Sequence, residues 1–155
     1  MKANVLKHMM NIWPPFMGAG IKVLRIADDY REIEVALKQK WFNKNIVGSH
    51  FGGSLYAMVD PFYMLMLMNI LGNEYIVWDK FAGIDFIAPG KGTVTAKFTL
   101  NETQIENIKQ ETDSCDKYIA VLPVDIKDDK TEIVATAIKH IYVRRKKRVC
   151  LPGEQ

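Results

Sequence analysis

Histidine and cysteine are scarce, with three His and two Cys (Cys115 and Cys150) among 155 residues. Two thiols cannot make a disulfide framework, and so few imidazoles argue against a structural zinc site. No metal site is therefore expected, and a reducing, cytoplasmic setting fits. Long apolar runs are missing too. The most apolar stretch, Pro61 to Met68, lies between Asp60 and Asn69, far short of the ~20 residues that span a bilayer. Lys7 and His8 interrupt any apolar segment near the start, which argues against a secretory signal. There is no internal repeat, low-complexity segment or linker. The composition is otherwise ordinary: 48% hydrophobic and 25% charged exclude wholesale disorder and collagen-like repetition. A chain of this length reads as one domain over 1–155 that buries about 68–70% of its unfolded surface without a disulfide or metal.

A basic face is missing as well. Lys and Arg number 21 against 18 Asp and Glu, a formal net charge of +3. Five of the basic residues form one run, Arg144-Arg145-Lys146-Lys147-Arg148, and setting them aside leaves 16 against 18. The positive excess belongs to the end of the chain, so nucleic acid is not an expected partner. The run reads as a solvated terminus.

The apolar spacing predicts a helix over 2–13 that Pro14-Pro15 ends, since neither proline donates a helix hydrogen bond. Strands are predicted over 21–27 and 31–39, joined by a turn at Asp28-Asp29-Tyr30. After Asn43-Lys44-Asn45 comes Gly48-Ser49-His50-Phe51-Gly52-Gly53, opening a helix to Leu71 whose polar side chains, the Tyr hydroxyls aside, are Ser54, Asp60 and Asn69. A helix apolar all round must be wrapped by something. Gly72-Asn73 stops it. Further strands are predicted over 75–88, 92–100, 117–127 and 131–145. In the last, Ile133, Ala135, Ala137, Ile141 and Val143 share a face. Pro89-Gly90-Lys91-Gly92 reads as a hairpin joining the first two of these. Asn101 with Gln104 reads as a capping box opening a short helix. The sum is α+β: a curled antiparallel sheet wrapped around one long buried helix.

The entry to that helix is where chemistry is expected. Gly52-Gly53 places backbone without side chains at a helix start, where N–H groups lack partners and the dipole is positive. Such a site accepts a carbonyl oxygen becoming an oxyanion. The alternative is that the glycines serve a tight turn and close packing. Asp60 is a carboxylate in apolar surroundings, costly unless it has a partner or a task. It also precedes Pro61, as an N-cap of a helix segment would. Seven residues separate Gly53 from Asp60, about 10 Å along a helix. One copy of Asp60 thus cannot serve a group bound at its own helix start. If the two cooperate, the chain is a homodimer with its helices side by side.

The run Asn45-x-x-Gly48-x-x-Phe51-Gly52-Gly53, with Asp60 seven residues on, resembles the loop-and-helix motif of hotdog-fold acyl-CoA thioesterases of the phenylacetate-pathway type. Ile84-Asp85-Phe86-Ile87-Ala88-Pro89-Gly90-Lys91-Gly92 resembles the segment that follows the hotdog helix. The run from Gly52 to Met64, with Tyr75-Ile76-Val77-Trp78-Asp79-Lys80 and Tyr142-Val143-Arg144-Arg145-Lys146, is similar to a bacterial domain-of-unknown-function family described as thioesterase-like or as tetrameric acyl-CoA thioesterases. The resemblance covers about residues 20–146, between an N-terminal helix and loop (1–19) and a basic tail (147–155).

It implies hydrolysis of acyl-CoA or other acyl thioesters by a homodimer or a dimer of dimers, with coenzyme A entering only as part of the substrate and no other cofactor. Asp60 would be the general base or the nucleophile, Gly52 or Gly53 of the other subunit the oxyanion donor, and Asn45 would orient the carbonyl or the water. The family's histidine falls at Phe51, while His50 lies one residue earlier and reads as a loop residue bonded to backbone. Phe51, His50, Tyr63 and Met64 are the candidate substrate walls, methionines being adaptable fillers of core or tunnel alike. Arg144 and Arg145 could contact coenzyme A phosphates. The alternative function is a non-catalytic acyl-CoA or lipid-binding hotdog protein.

Overall fold

Strands of alternating character form one sheet in the computed structural model, which describes residues 1–113 and 116–146. Both cysteines and the tail 147–155 lie outside the described residues. In chain order the elements are α1 (Ala3–Ile12), α2 (Pro14–Ala19), β1 (Ile21–Ile26), β2 (Glu32–Lys38), α3 (Gly52–Ala57), α4 (Phe62–Leu71), β3 (Tyr75–Phe86), β4 (Thr93–Thr99), α5 (Glu102–Glu111), β5 (Lys117–Lys127) and β6 (Ile133–Arg145). The strands lie in the order β1-β2-β4-β5-β6-β3, and every neighbouring pair is antiparallel.

The inward positions follow the pleat. Ile33, Val35 and Leu37 on β2, Val94, Ala96 and Phe98 on β4, and Ala135, Ala137, Ile141 and Val143 on β6 are buried. The enclosed helix lies against them through Leu55, Met58, Val59, Phe62, Met66 and Leu67. Phe62 is fully buried between Phe16 and Phe98, at ring-centroid separations of 5.9 and 5.0 Å. This is the hotdog arrangement that the sequence resemblance implies. By length and composition alone, Gly52–Leu71, 20 residues of mean hydropathy 1.3, could cross a membrane. Here it is the core helix of the sheet.

Four local expectations are corrected. Pro14-Pro15 ends α1 and also begins α2, because proline suits the first helical turn, where its missing N–H costs nothing. The enclosed helix runs in two segments, α3 and α4, interrupted at Met58–Pro61 where Pro61 cannot donate. The segment 89–92 is a crossover and not a hairpin: β3 pairs with β6 at the sheet border, while β4 pairs with β2 and β5. Ile133 is 37% exposed and Val134 is buried in its stead, beside a register shift at Ile126/Lys127. The capping box forms as read, with Gln104 N–H donating to Asn101 Oδ1 at 2.8 Å and Asn101 N–H to Gln104 Oε1 at 2.9 Å.

At the other border, Asn11 of α1 grips β1. Its Oδ1 accepts from Val23 N–H at 2.8 Å and its Nδ2 donates to Val23 C=O at 3.0 Å. The side-chain amide thus does for the edge what a neighbouring strand would do.

Candidate active site

Residues 43–51 form a loop held by its own side chains. Asn43 is buried and donates to the carbonyls of Ala19 and Lys38, both at 2.9 Å. Asn45 spends both ends of its amide locally. Its Oδ1 accepts from Val47 and Ser49 N–H at 3.1 and 3.0 Å, and its Nδ2 donates to Ser49 Oγ at 2.7 Å and His50 C=O at 3.2 Å. Gly48 takes φ +83°, which lets the loop reverse where a side chain would be strained.

His50 is pinned to the crossover that follows β3. Its N–H donates to Gly90 C=O at 2.9 Å, and its Nε2 lies 3.1 Å from Gly92 C=O. A carbonyl only accepts, so the proton sits on Nε2, and Nδ1 carries a bare lone pair, buried and without a partner. Burial lowers the pKa of His50 below its usual value, with the Gly92 bond opposing, so the ring stays neutral at pH 7. The expected backbone contact of His50 is therefore present.

Helix α3 starts directly behind the loop. Phe51 C=O accepts from Ser54 and Leu55 N–H at 2.9 and 3.2 Å. Among the described residues, no acceptor takes the N–H of Gly52 or Gly53. Aromatic rings also press on both glycines. A Cβ on Gly52 would lie 3.0 Å from the Phe86 ring, and one on Gly53 would overlap the Phe51 ring. Beside them opens a cleft of about 390 Å³, lined by Asn45, Ser49, His50, Gly52, Leu55 and the segment Phe86–Gly90. Phe51 is 57% exposed.

The structure thus brings Asn45, His50 and Gly52 to one cleft, with Phe51 and Gly53 adjoining. Asp60 is not among the residues lining it. Nor does Asp60 cap α4, whose N-cap is Pro61 with no side-chain cap bond. Its Oδ1 accepts instead from Lys139 Nζ at 3.0 Å. Lys139 is fully buried and also pairs with Asp79 Oδ1 at 2.9 Å, with the Tyr56 ring 5.8 Å away. Burial works against the lysine's charge, but the two carboxylates outweigh it and raise its pKa. Burial likewise raises the pKa of Asp79, while Lys139 pulls it back down.

Tyr63 points elsewhere. It is buried, donates to Pro123 C=O at 2.8 Å, and its hydroxyl is pushed up to about 12 by burial. Met64 is partly buried on the helix. Arg144 and Arg145 pair with Ile76 and Tyr75, whereas Phe86 at the cleft pairs with Ala135. That is about ten residues of strand away, roughly 30 Å. Arg145 is engaged with Asp113 at 2.7 Å and Glu74 at 3.5 Å.

Lys139 and Asp79 were not singled out by sequence reasoning. A signal existed: along β6 the inward series Ala135, Ala137, Ile141, Val143 skips one position, and that position is Lys139.

A curled antiparallel sheet around a central helix, with a glycine-rich helix start beside a cleft, defines a hotdog-fold protein. Three solved structures share the fold. A protein of unknown function from Pseudomonas aeruginosa, named a probable thioesterase, is 17% identical at a TM-score of 0.80, with 92% of this chain and 95% of that one covered. A thioesterase from Haemophilus influenzae is 15% identical at a TM-score of 0.69, covering 97% and 96%. A protein of unknown function from Chlorobaculum tepidum is 15% identical at a TM-score of 0.73, covering 92% and 94%. Among curated proteins no sequence matches significantly. The chain belongs to the family described as Domain of unknown function (DUF4442), whose model matches residues 2–143.

Proposed function

We propose that this protein hydrolyses acyl thioesters, with acyl-CoA as the substrate class, and that it does so as a homodimer. The observation that carries the reading is the unclaimed N–H of Gly52 at the lining of an open cleft, with the unclaimed N–H of Gly53 next to it in the chain. An N–H donor at a helix start fits the oxygen of a thioester carbonyl and holds it better as charge grows on it, an effect worth about 2.7–4 kcal/mol per donor. The solved neighbours named thioesterases support the same reaction class.

The reaction needs a base or nucleophile on the far side of that carbonyl, and Asp60 is too far along its own helix. Tyr56, Ala57, Asp60, Pro61, Met64 and Met68, spread from α3 across the interruption into α4, are all incompletely buried in the single chain. A second copy laid against these residues would cover the apolar ones and bring Asp60 toward the opposing glycines. Asp60 then either attacks the carbonyl carbon or takes a proton from the attacking water. If water attacks, the proton Asp60 takes from it passes to the sulfur as the C–S bond breaks, and the acid and thiol are released. If Asp60 attacks, the C–S bond breaks as an acyl–Asp60 anhydride forms, and the thiolate leaves and takes a proton from solvent. Water then cleaves the anhydride to the acid and free Asp60. A positioned base contributes about 10²–10⁴ in rate. No cofactor enters beyond the coenzyme A of the substrate. Asn45, whose amide is spent within the loop, shapes the cleft wall through His50 and Ser49. Arg144 and Arg145 reach coenzyme A phosphates only if another subunit brings them to the cleft.

The test is release of free thiol from a panel of short, long and aromatic acyl-CoAs, with wild type and Asp60→Asn. Wild type turns over at least one of them and Asp60→Asn loses about 10²-fold or more. Equal rates in the two proteins overturn the catalytic claim.

One observation favours a second reading, a non-catalytic acyl-CoA or lipid binder. Phe51 stands where the motif of the phenylacetate-type thioesterases has histidine, and its exposed ring covers Gly53. This reading predicts ligand-dependent thermal stabilisation without turnover across the same panel.

A further inference from the structure

Asp60 sits at the interruption between α3 and α4, where no regular turn of helix dictates its side-chain direction. Its carboxylate is nonetheless anchored. Oδ1 accepts from Lys139 Nζ at 3.0 Å, while the Asp60 side chain remains 50% exposed. Oδ2 has no hydrogen-bond partner among the described residues. The anchor itself is rigid: Lys139 has no exposed side-chain surface and projects inward from the middle of β6. Its charge is matched from behind by Asp79 on β3 at 2.9 Å, next to the bulge at Asp79/Phe81. A buried ammonium costs several kcal/mol unless compensated, so this lysine would not persist on an apolar strand face without its two carboxylates.

We infer that Lys139 is a positioning residue for Asp60: it holds one carboxylate oxygen against the sheet so that the other faces outward, toward the subunit that carries the thioester. Asp79 supplies the counter-charge that lets the lysine stay buried and protonated. The inference rests on the proposed thioesterase reading, and it adds to the Gly-Gly and Asp pattern a residue contributed by the opposite end of the chain. Misplacing a reacting group by about 1 Å costs on the order of 10²-fold in rate, which is the scale on which loss of the anchor should register.

The experiment compares wild type, Asp60→Asn, Lys139→Met and the double variant Lys139→Met/Asp79→Asn, first checking secondary structure and mass. The double variant guards against misfolding, because the single one strands a buried carboxylate, whereas the pair of changes keeps the net charge of the cluster. Each protein is assayed for thiol release from the best acyl-CoA of the panel, and for affinity toward the non-hydrolysable thioether analogue of that acyl-CoA. The expected result is a kcat lowered about 10- to 100-fold in the folded lysine variants, with KM and analogue affinity within about threefold of wild type. A folded lysine variant with wild-type kcat overturns the inference and leaves the proposed function standing. So does a change confined to KM and analogue affinity. If Asp60→Asn matches wild type, the reading of Asp60 as base fails, and the positioning role fails with it.

Discussion

Acidification should weaken this fold through one ring. The His50 Nε2 proton is committed to Gly92 C=O, and Nδ1 is a buried lone pair with no partner. Protonating Nδ1 creates a buried donor with nothing to bond, which costs about 1–3 kcal/mol. The unfolded chain pays no such cost and binds the proton at the ordinary value of 6.5, whereas burial depresses the folded value. The unfolded state therefore holds more protons in the window below 6.5, and stability falls as the pH drops through it. The contribution is whole above about pH 7 and is lost as the pH passes through the folded value, at no more than about 1.4 kcal/mol per pH unit for one proton.

Other groups titrate in acid, so the informative quantity is a difference. His50→Gln keeps an N–H donor for Gly92 and cannot titrate. Urea unfolding of both proteins at pH steps from about 8 to 5 should show wild type losing stability relative to His50→Gln as the pH falls. Parallel curves for the two proteins would refute the reasoning. So would a His50 ring signal titrating at or above 6.5 in the folded protein.

Two further changes test the packing and the caps. Phe62→Ala removes a fully buried ring from the Phe16–Phe62–Phe98 stack and should cost about 3–5 kcal/mol of unfolding free energy, read from the denaturant midpoint; a loss under 1 kcal/mol would mean the stack is not the centre of the core. Asn101→Ala removes the acceptor of the capping box on α5 and should cost about 1 kcal/mol, with Asn101→Ser restoring most of it in the same measurement.

The features legible in the sequence are those fixed by neighbours in the chain. Val94, Ala96 and Phe98 alternate because a half-buried strand demands it, and the structure buries all three. The capping box of α5 needs only residues three apart, and both bonds form. The β5–β6 hairpin and the β1–β2 hairpin follow from short turns between alternating strands. The crossover at 89–92 was not legible, because Pro and Gly announce a change of direction without saying which strand the chain joins next. The partner of Asp60 was hidden for a related reason. Lys139 lies 79 residues away, and only the curl of the sheet brings the two together. The glycines at the helix start were legible through their motif, yet their packing against Phe86 and Phe51 is a matter of three-dimensional fit.

The tether of His50 has a bearing on synthesis. Its ring bond to Gly92 spans 42 positions, and its backbone bond to Gly90 spans nearly as many. While the ribosome is still making β3, neither carbonyl that tethers His50 has yet been made. Contacts of such long sequence separation form late, after the loop-closure entropy has been met. The first half of a nascent chain therefore emerges with its glycine-rich segment and greasy helix unsheltered, and depends on prompt arrival of the second half to escape association with other chains.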